Sequence, residues 1–433
     1  MHASQRAAVC HHIASRHQPC YNINVALVSL NLPSKPLHPR ELPRATVPGL
    51  YLHIPFCFHK CHYCDFYSIT RQTEDRMTRF VDLLLREADM WCDKDAPAVQ
   101  PETIFFGGGT PSLLPLEQMH RLLRGLHERF DLSQVNEWTV EVNPATSDLD
   151  YCRMLRENGV TRLSLGAQSF DRDELKSLER HHDPEDVPKS LGIARTAGFE
   201  RINFDLIYAI PQQTMESWMR SLEAAIALRT DHLSCYALTY EANTPIAVKQ
   251  RMGQLTVATD ELELQMLHAT RERLTVEGLL PYEISNYARP GEACRHNLLY
   301  WAGGSYVGLG PSASSHVKGT RFKNRPHLGE WETSIERDEL PATDVETLTP
   351  LQRAGERMML GLRLTTGINL TAFAAETGFD AYSLYAAQFD QLTKAKLIKI
   401  DNHAVTLTEH GINLADAIAA EFLTSIETTD KQR

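Results

Sequence analysis

Between about residues 49 and 310 the chain alternates short runs rich in β-branched and aromatic residues with longer runs whose apolar positions recur every three or four residues. The short runs at 50–54, 103–106, 139–142, 162–165, 201–207 and 232–238 predict strands, and 75–91, 116–130, 148–158, 184–196 and 215–228 predict the helices between them. A further helix, 260–277, follows the sixth strand. Six such units predict an α/β fold: a parallel sheet with right-handed crossovers, curled into a full or partial (β/α)6 barrel, with an open doubly wound sheet as the other layout. In either layout ligands gather at the carboxyl ends of the strands.

From 349 the pattern changes. Helices at 351–364, 370–377 and 382–394, short strands near 397–400 and 404–407 and a last helix to about 422 predict a smaller winged-helix-like domain at 349–433. Residues 311–348 connect it to the barrel domain at 48–310. Acidic residues slightly outnumber basic ones in the small domain and it has no arginine-rich recognition helix, so it reads as a lid or protein-contact module rather than a DNA reader. Residues 1–47 carry His2, His11, His12 and His17, five Arg or Lys against only Glu41, and a proline-rich end through Pro33, Pro36, Pro39 and Pro43. Little fixed structure is expected there; a mitochondrial-type transit segment and an over-long start both fit.

The formal charge of -11 over 433 residues repels polyanions, and with no local basic patch a nucleic-acid partner is not expected. No stretch nears the roughly 18 uninterrupted apolar residues of a membrane-spanning helix. The sequence therefore predicts a soluble, cytoplasmic chain with no direct membrane anchor, or a mitochondrial one if the start is a transit segment.

The unusual residues fall where the predicted strands end. The first strand runs into a cysteine loop, the second into Gly107-Gly108-Gly109-Thr110-Pro111, the third ends at Glu141, the fourth at Gln168, and the fifth carries Asp205. Taken singly, a glycine triplet is an ordinary turn and an acidic strand end an ordinary cap; together they mark one rim. Nine cysteines, three of them within eight residues, suit a metal site in a reducing compartment better than a disulfide framework. Cys57, Cys61 and Cys64 can grip three corners of an iron–sulfur cubane and leave the fourth iron open. The same three thiols with His53, His59 or His62 can instead make a structural zinc site. Cys10, Cys20, Cys92, Cys152 and Cys235 have no partner at metal spacing and read as free thiols.

Cys57-x3-Cys61-x-Tyr63-Cys64, with an aromatic just before the third cysteine, resembles the signature of the radical S-adenosylmethionine enzymes. The segments 51–57 and 107–111 narrow the resemblance to the branch holding oxygen-independent coproporphyrinogen III oxidase and the HemW heme chaperones, and it covers about 49–425. It implies a [4Fe-4S] cluster on Cys57, Cys61 and Cys64, whose open iron chelates the amino and carboxylate groups of S-adenosyl-L-methionine. It also implies that Gly108, Gly109 and Thr110 meet the ligand's ammonium, that Glu141, Gln168 and Asp205 surround its ribose and methionine portions, that Arg180 meets its carboxylate, and that Tyr51 and Tyr63 line the site. Without the resemblance, Arg180 reads as a surface arginine and the two tyrosines as core aromatics.

Two departures separate the branch members. Where the oxidase carries a further cysteine two residues past the third, this chain has Phe66, which neither donates a hydrogen atom nor ligates a metal. This argues against oxidative decarboxylation of coproporphyrinogen III and for a chaperone. The run from Cys294 to Trp301 resembles the heme-associated motif of the chaperones, which makes His296 the first candidate for an axial heme ligand and Cys294 the second; by residue chemistry alone His296 is also a fair structural histidine. The resemblance thus implies bound heme, heme-accepting respiratory proteins as partners and membrane association through a partner, and it leaves room for a homodimer.

Overall fold

A computed structural model describes residues 37–430 except 145 and 402. Its central strands are β1 Thr46–Ile54, β2 Ala98–Gly108, β3 Glu137–Val142, β4 Arg162–Gln168, β5 Arg201–Tyr208 and β6 His232–Ala237, and they lie side by side in chain order, all parallel. Neighbours in the sheet are neighbours in sequence, so the winding never reverses. That excludes the doubly wound layout and leaves the curled barrel wall.

The barrel is partial. Four further strands, β7 Leu280–Pro281, β8 Asn286–Ala288, β9 Tyr306–Leu309 and β10 Ser314–Val317, followed by β11 Thr320–Asn324 and β12 Ala342–Thr347, extend the wall to the order β12-β11-β10-β9-β1-β2-β3-β4-β5-β6-β8-β7. The stretch 311–348, read from sequence as a connection, therefore builds one flank of the main sheet and carries the helix Leu328–Glu336. Of the expected N-terminal extension, residues 1–36 lie outside the described residues; 37–47 form a short 3-10 turn and the start of β1.

Local chemistry sets where the crossover helices begin. Thr73, Asp148, Thr214 and Thr259 sit in extended backbone and accept the first-turn N–H groups of Glu74–Met90, Leu149–Glu157, Met215–Ala227 and Asp260–Val276. On the outer wall Leu50, Leu52, Phe106, Val140, Leu163 and Phe204 pack with Phe80, Leu84, Leu122 and Leu155 of the helices. Alternation along each strand then sends the polar set inward: Tyr51 and His53, Thr103, Glu137 and Glu141, Arg162 and Ser164, Asn203 and Asp205, His232 and Ser234. A parallel sheet covered on both faces normally reads apolar throughout. Here only the outer face is dry.

The smaller domain follows the winged-helix order. Helices Pro350–Gly361, Leu370–Thr377 and Ala381–Lys394 surround β13 Ile368–Asn369, β14 Ile398–Ile400 and β15 Ala404–Leu407, which form a separate antiparallel sheet in the order β13-β15-β14. Phe373, Tyr385, Phe389 and Phe422 fill its own core. Among the described residues no helix is long and apolar enough to cross a membrane.

Candidate functional site

The cysteine loop leaves β1 at Pro55 and is stitched to its own far end. Cys57 N–H donates to Ile69 O at 2.9 Å and Ile69 N–H to Pro55 O at 2.7 Å. It also rests on the glycine turn after β2, where Gly109 N–H donates to Ile54 O and Thr110 N–H to Phe56 O at 2.8 and 2.7 Å. A Cβ on Gly109 would stand 2.7 Å from Phe56 O, and one on Gly108, whose φ is +105°, would stand 2.5 Å from the His53 ring. The triplet is thus required first by the packing of the cysteine loop, before any ligand is considered.

The three thiols are free and only partly buried. Cys57 Sγ lies 3.7 Å from the Thr110 hydroxyl, and Arg180 Nη1 lies 3.8 Å from Cys61 Sγ. Burial pushes the Cys57 thiol up, against the Thr110 hydroxyl, and pushes Cys64 up to about 12, with repulsion from Cys61 and Cys57 adding to it. A metal that takes up the thiolate charge would relieve this. Among the described residues no three His, Cys, Asp or Glu side chains are grouped tightly enough to hold a single ion. His53 is ill suited to be a zinc ligand, because both its ring nitrogens are engaged: Nε2 donates to Tyr67 O at 2.9 Å and Nδ1 accepts from Tyr51 O–H at 3.2 Å. His62 faces Lys249 at 3.1 Å on one side and Glu179 at 3.8 Å on the other, and His59 faces Glu179 at 3.5 Å.

The other rim residues converge on the same mouth. Arg180 donates through Nη2 to Gly166 O at 2.7 Å, while its Nε and the Gln168 Oε1 are buried without a protein partner. Gln168 sits at φ +63°, where the β4–β5 register breaks, a strained backbone for a residue with a Cβ. Asp205 accepts from Asn203 Nδ2 at 2.8 Å and Tyr236 O–H at 2.6 Å on one oxygen and from Ser164 at 3.2 Å on the other. Glu141 stands against Gly107, and burial, reinforced by the Asp205 charge, pushes its carboxyl up to about 8. Burial also raises Tyr63, which feels Arg180, Cys61, Cys64 and Asp205, whereas Tyr51 stacks on Phe105 with ring centroids 6.3 Å apart. Unpaired donors and acceptors beside a carboxyl that positive charge would help to ionise suit a polar cationic ligand. The residues present fit a cubane on the three cysteines with a zwitterionic sulfonium ligand beside it.

His296 is the first candidate for an axial heme ligand. It lies on the helix Arg295–Trp301, 1% exposed, inside the barrel under the rim. Nδ1 pairs with Thr103 Oγ1 at 2.9 Å and Nε2 with Tyr300 O–H at 2.8 Å; the ring stacks on Phe105, and burial holds it down near 4. Both ring nitrogens are hydrogen-bonded, so ligation of iron would have to displace Thr103 or Tyr300. Cys294 is buried as well and donates to Glu137 at 3.3 Å. Glu137 also accepts the N–H groups of Arg295 and His296, both at 3.1 Å, and meets Arg201 at 2.9 Å. Burial would raise Glu137, but Arg162, Arg201 and those N–H groups hold it below the ordinary carboxylate range.

Sequence reasoning missed Ser164, Asn203, Tyr236 and Arg162, which lie against the rim carboxyls, and Glu137, which holds the start of the helix Arg295–Trp301. The signal was the strict polar-apolar alternation of β3 to β6, which in a parallel sheet means a polar interior.

Comparisons with known proteins bear on the family and the fold. Residues 51–225 match the Radical SAM superfamily and 348–414 the HemN C-terminal domain. Heme chaperone HemW of Lactococcus lactis is 32% identical over 86% of this chain and 96% of its own length. HemW of Bacillus subtilis is 35% identical over 86% and 98%, and HemW of Mycobacterium tuberculosis 34% identical over 89% and 98%. The solved structure of coproporphyrinogen III oxidase, HemN, from Escherichia coli superposes with a TM-score of 0.77 over 88% of this chain and 91% of that one; at 24% identity it speaks to the fold alone. With nearly the full length of these relatives matched and the three-cysteine rim in place, the chain belongs to the HemW family of the radical SAM superfamily.

Proposed function

We propose that this protein is a heme chaperone that holds a [4Fe-4S] cluster on Cys57, Cys61 and Cys64, binds S-adenosylmethionine on the rim beside it, and carries heme to acceptor proteins in the cytoplasm or at the membrane, respiratory cytochromes among them. The observation that carries the cluster reading is the three-thiol loop packed directly onto the glycine turn, next to orphaned polar atoms of Gln168 and Arg180. Bound there, the cluster and its ligand supply one-electron chemistry. The chain's own part is to hold them: Arg180 offers a guanidinium for a carboxylate, Glu141 and Asp205 accept from hydroxyls and balance positive charge, and Tyr63 closes the apolar side.

Phe66, 66% exposed, favours the chaperone over the oxidase, since a benzyl side chain beside the cluster loop has no acid, base or thiol. Axial ligation of heme by His296 is not part of this reading, because both of its nitrogens are engaged. Assembly as a homodimer is compatible with it and is read by sedimentation of the cluster-loaded protein.

The test is anaerobic reconstitution with iron and sulfide, then heme titration with and without S-adenosylmethionine. Four irons lost together in the Cys57→Ala, Cys61→Ala and Cys64→Ala variants, one saturable heme site and transfer of that heme to an apo-cytochrome support the function. Conversion of coproporphyrinogen III to protoporphyrinogen IX, or tightly held zinc in place of iron and sulfide, overturns it.

A further inference from the structure

Below the rim a file of hydrogen bonds, joined at Asn203 by Ser164, which accepts from Nδ2 at 2.8 Å, and by Ser234, which donates to Oδ1 at 3.2 Å, crosses the barrel interior to the helix Arg295–Trp301. Asn203 Nδ2 donates to Asp205 Oδ1 at 2.8 Å, and Asn203 Oδ1 faces His232 Nδ1 at 2.7 Å. An amide oxygen only accepts, so the His232 proton sits on Nδ1 and Nε2 is left to accept from the Tyr282 hydroxyl at 3.0 Å. The Tyr282 oxygen accepts in turn from Asn297 Nδ2 at 3.5 Å. Every donor in the file points toward the Asp205 carboxylate, the arrangement in which successive hydrogen bonds polarise one another. Asn203 and His232 are almost fully buried, and burial, with Arg162 and Arg201 nearby, keeps the imidazole neutral as the file requires. At its far end the file meets the smaller domain, because the Tyr282 carbonyl accepts from Thr365 N–H at 3.0 Å.

We propose that Asn203, His232 and Tyr282 are positioning residues for Asp205, and that through them occupancy of the rim is linked to the seating of the helix Arg295–Trp301. The proposal rests on the reading that the rim binds S-adenosylmethionine. A ligand hydroxyl that donates to Asp205 fixes the carboxylate in one orientation. That orientation fixes Asn203, the amide fixes the imidazole, and the imidazole holds Tyr282 against Asn297. Linkage makes the effect reciprocal: a helix that is loosened weakens ligand binding by the same factor.

The experiment uses reconstituted protein, equilibrium dialysis with S-adenosylmethionine, and hydrogen exchange of peptides covering 295–301. In the parent protein the ligand should slow exchange there severalfold. Tyr282→Phe, which deletes one hydroxyl and keeps the ring, should bind the ligand about tenfold more weakly and lose the slowing, with iron content and cluster spectrum unchanged. His232→Gln, whose amide can both donate and accept, should recover most of what His232→Ala loses. Ligand that binds the parent without any change in 295–301 exchange, or Tyr282→Phe behaving as the parent in both readouts, overturns the proposal. No ligand binding by the cluster-loaded parent removes the reading of the rim, and the proposal with it.

Discussion

Glu141 shows how one carboxyl reports on the rim. Its folded value, pushed up to about 8 by burial and Asp205, lies above that of an unfolded glutamate, so the empty protein holds the proton more tightly than the unfolded chain does. Stability of the ligand-free form should therefore fall as pH rises from about 5 to 8, and Glu141→Gln should flatten that slope in thermal melts. Ligand binding runs the opposite way. A cationic ligand favours the ionised carboxylate, so affinity should rise with pH and level off near 8, and the variant should lose this part of the dependence. His296 gives a second contrast. Its alanine variant leaves Thr103 and Tyr300 without their buried partner, which should cost about 1–3 kcal/mol of stability. Heme affinity, read by titration, should stay as it was. The histidine was visible in the sequence by its motif, but not its partner Thr103, a residue 193 positions away that reaches the ring only once the barrel closes.

Elements were more legible than partnerships. The six strands and their helices follow from local periodicity, and helix ends such as those after Thr73 and Thr214 follow from caps within a few residues. What escaped were pieces without a pattern of their own. The helix Pro245–Arg251 is one turn of apolar residues held by Ile246 N–H donating to His62 O at 3.0 Å, and β10 to β12 are short strands given their place by the edge of a sheet already formed. Glu87 explains how that flank is fastened. Fully buried on the helix Glu74–Met90, it accepts from Gly310 N–H at 2.7 Å, Asn324 Nδ2 at 2.7 Å and Trp331 Nε1 at 3.0 Å, and burial pushes it up to about 7. All three partners are N–H donors, so Glu87→Gln must turn an amide N–H toward one of them. That variant should lose about 1–3 kcal/mol, seen as a lower melting temperature, and should free the strands β10 to β12 for faster hydrogen exchange.

For the whole molecule the question is what holds the winged-helix-like domain against the barrel. Its core of Phe373, Tyr385, Phe389 and Phe422 is self-contained, so the contact between domains carries orientation rather than folding. The contact is also made by the segments that close the barrel floor. Arg363 lies over the Trp301 ring at 4.9 Å, and Thr365 donates through its hydroxyl to Pro281 O at 2.7 Å. Trp301 ends the helix that carries His296, and Pro281 precedes Tyr282, so the small domain grips the floor through the same two segments that face the polar interior. A cation over an aromatic face is worth about 0.5–2 kcal/mol, enough to loosen docking when removed but too little to unfold either core. Arg363→Ala should therefore speed protease cleavage around 348–350 severalfold, while iron content of the reconstituted protein stays at the parent level. If cleavage is unchanged, Thr365 and the ion pair between Arg321 and Glu356 suffice for docking. If iron is lost as well, the floor and the cysteine rim are not separable, and the small domain is part of the site rather than a body resting on it.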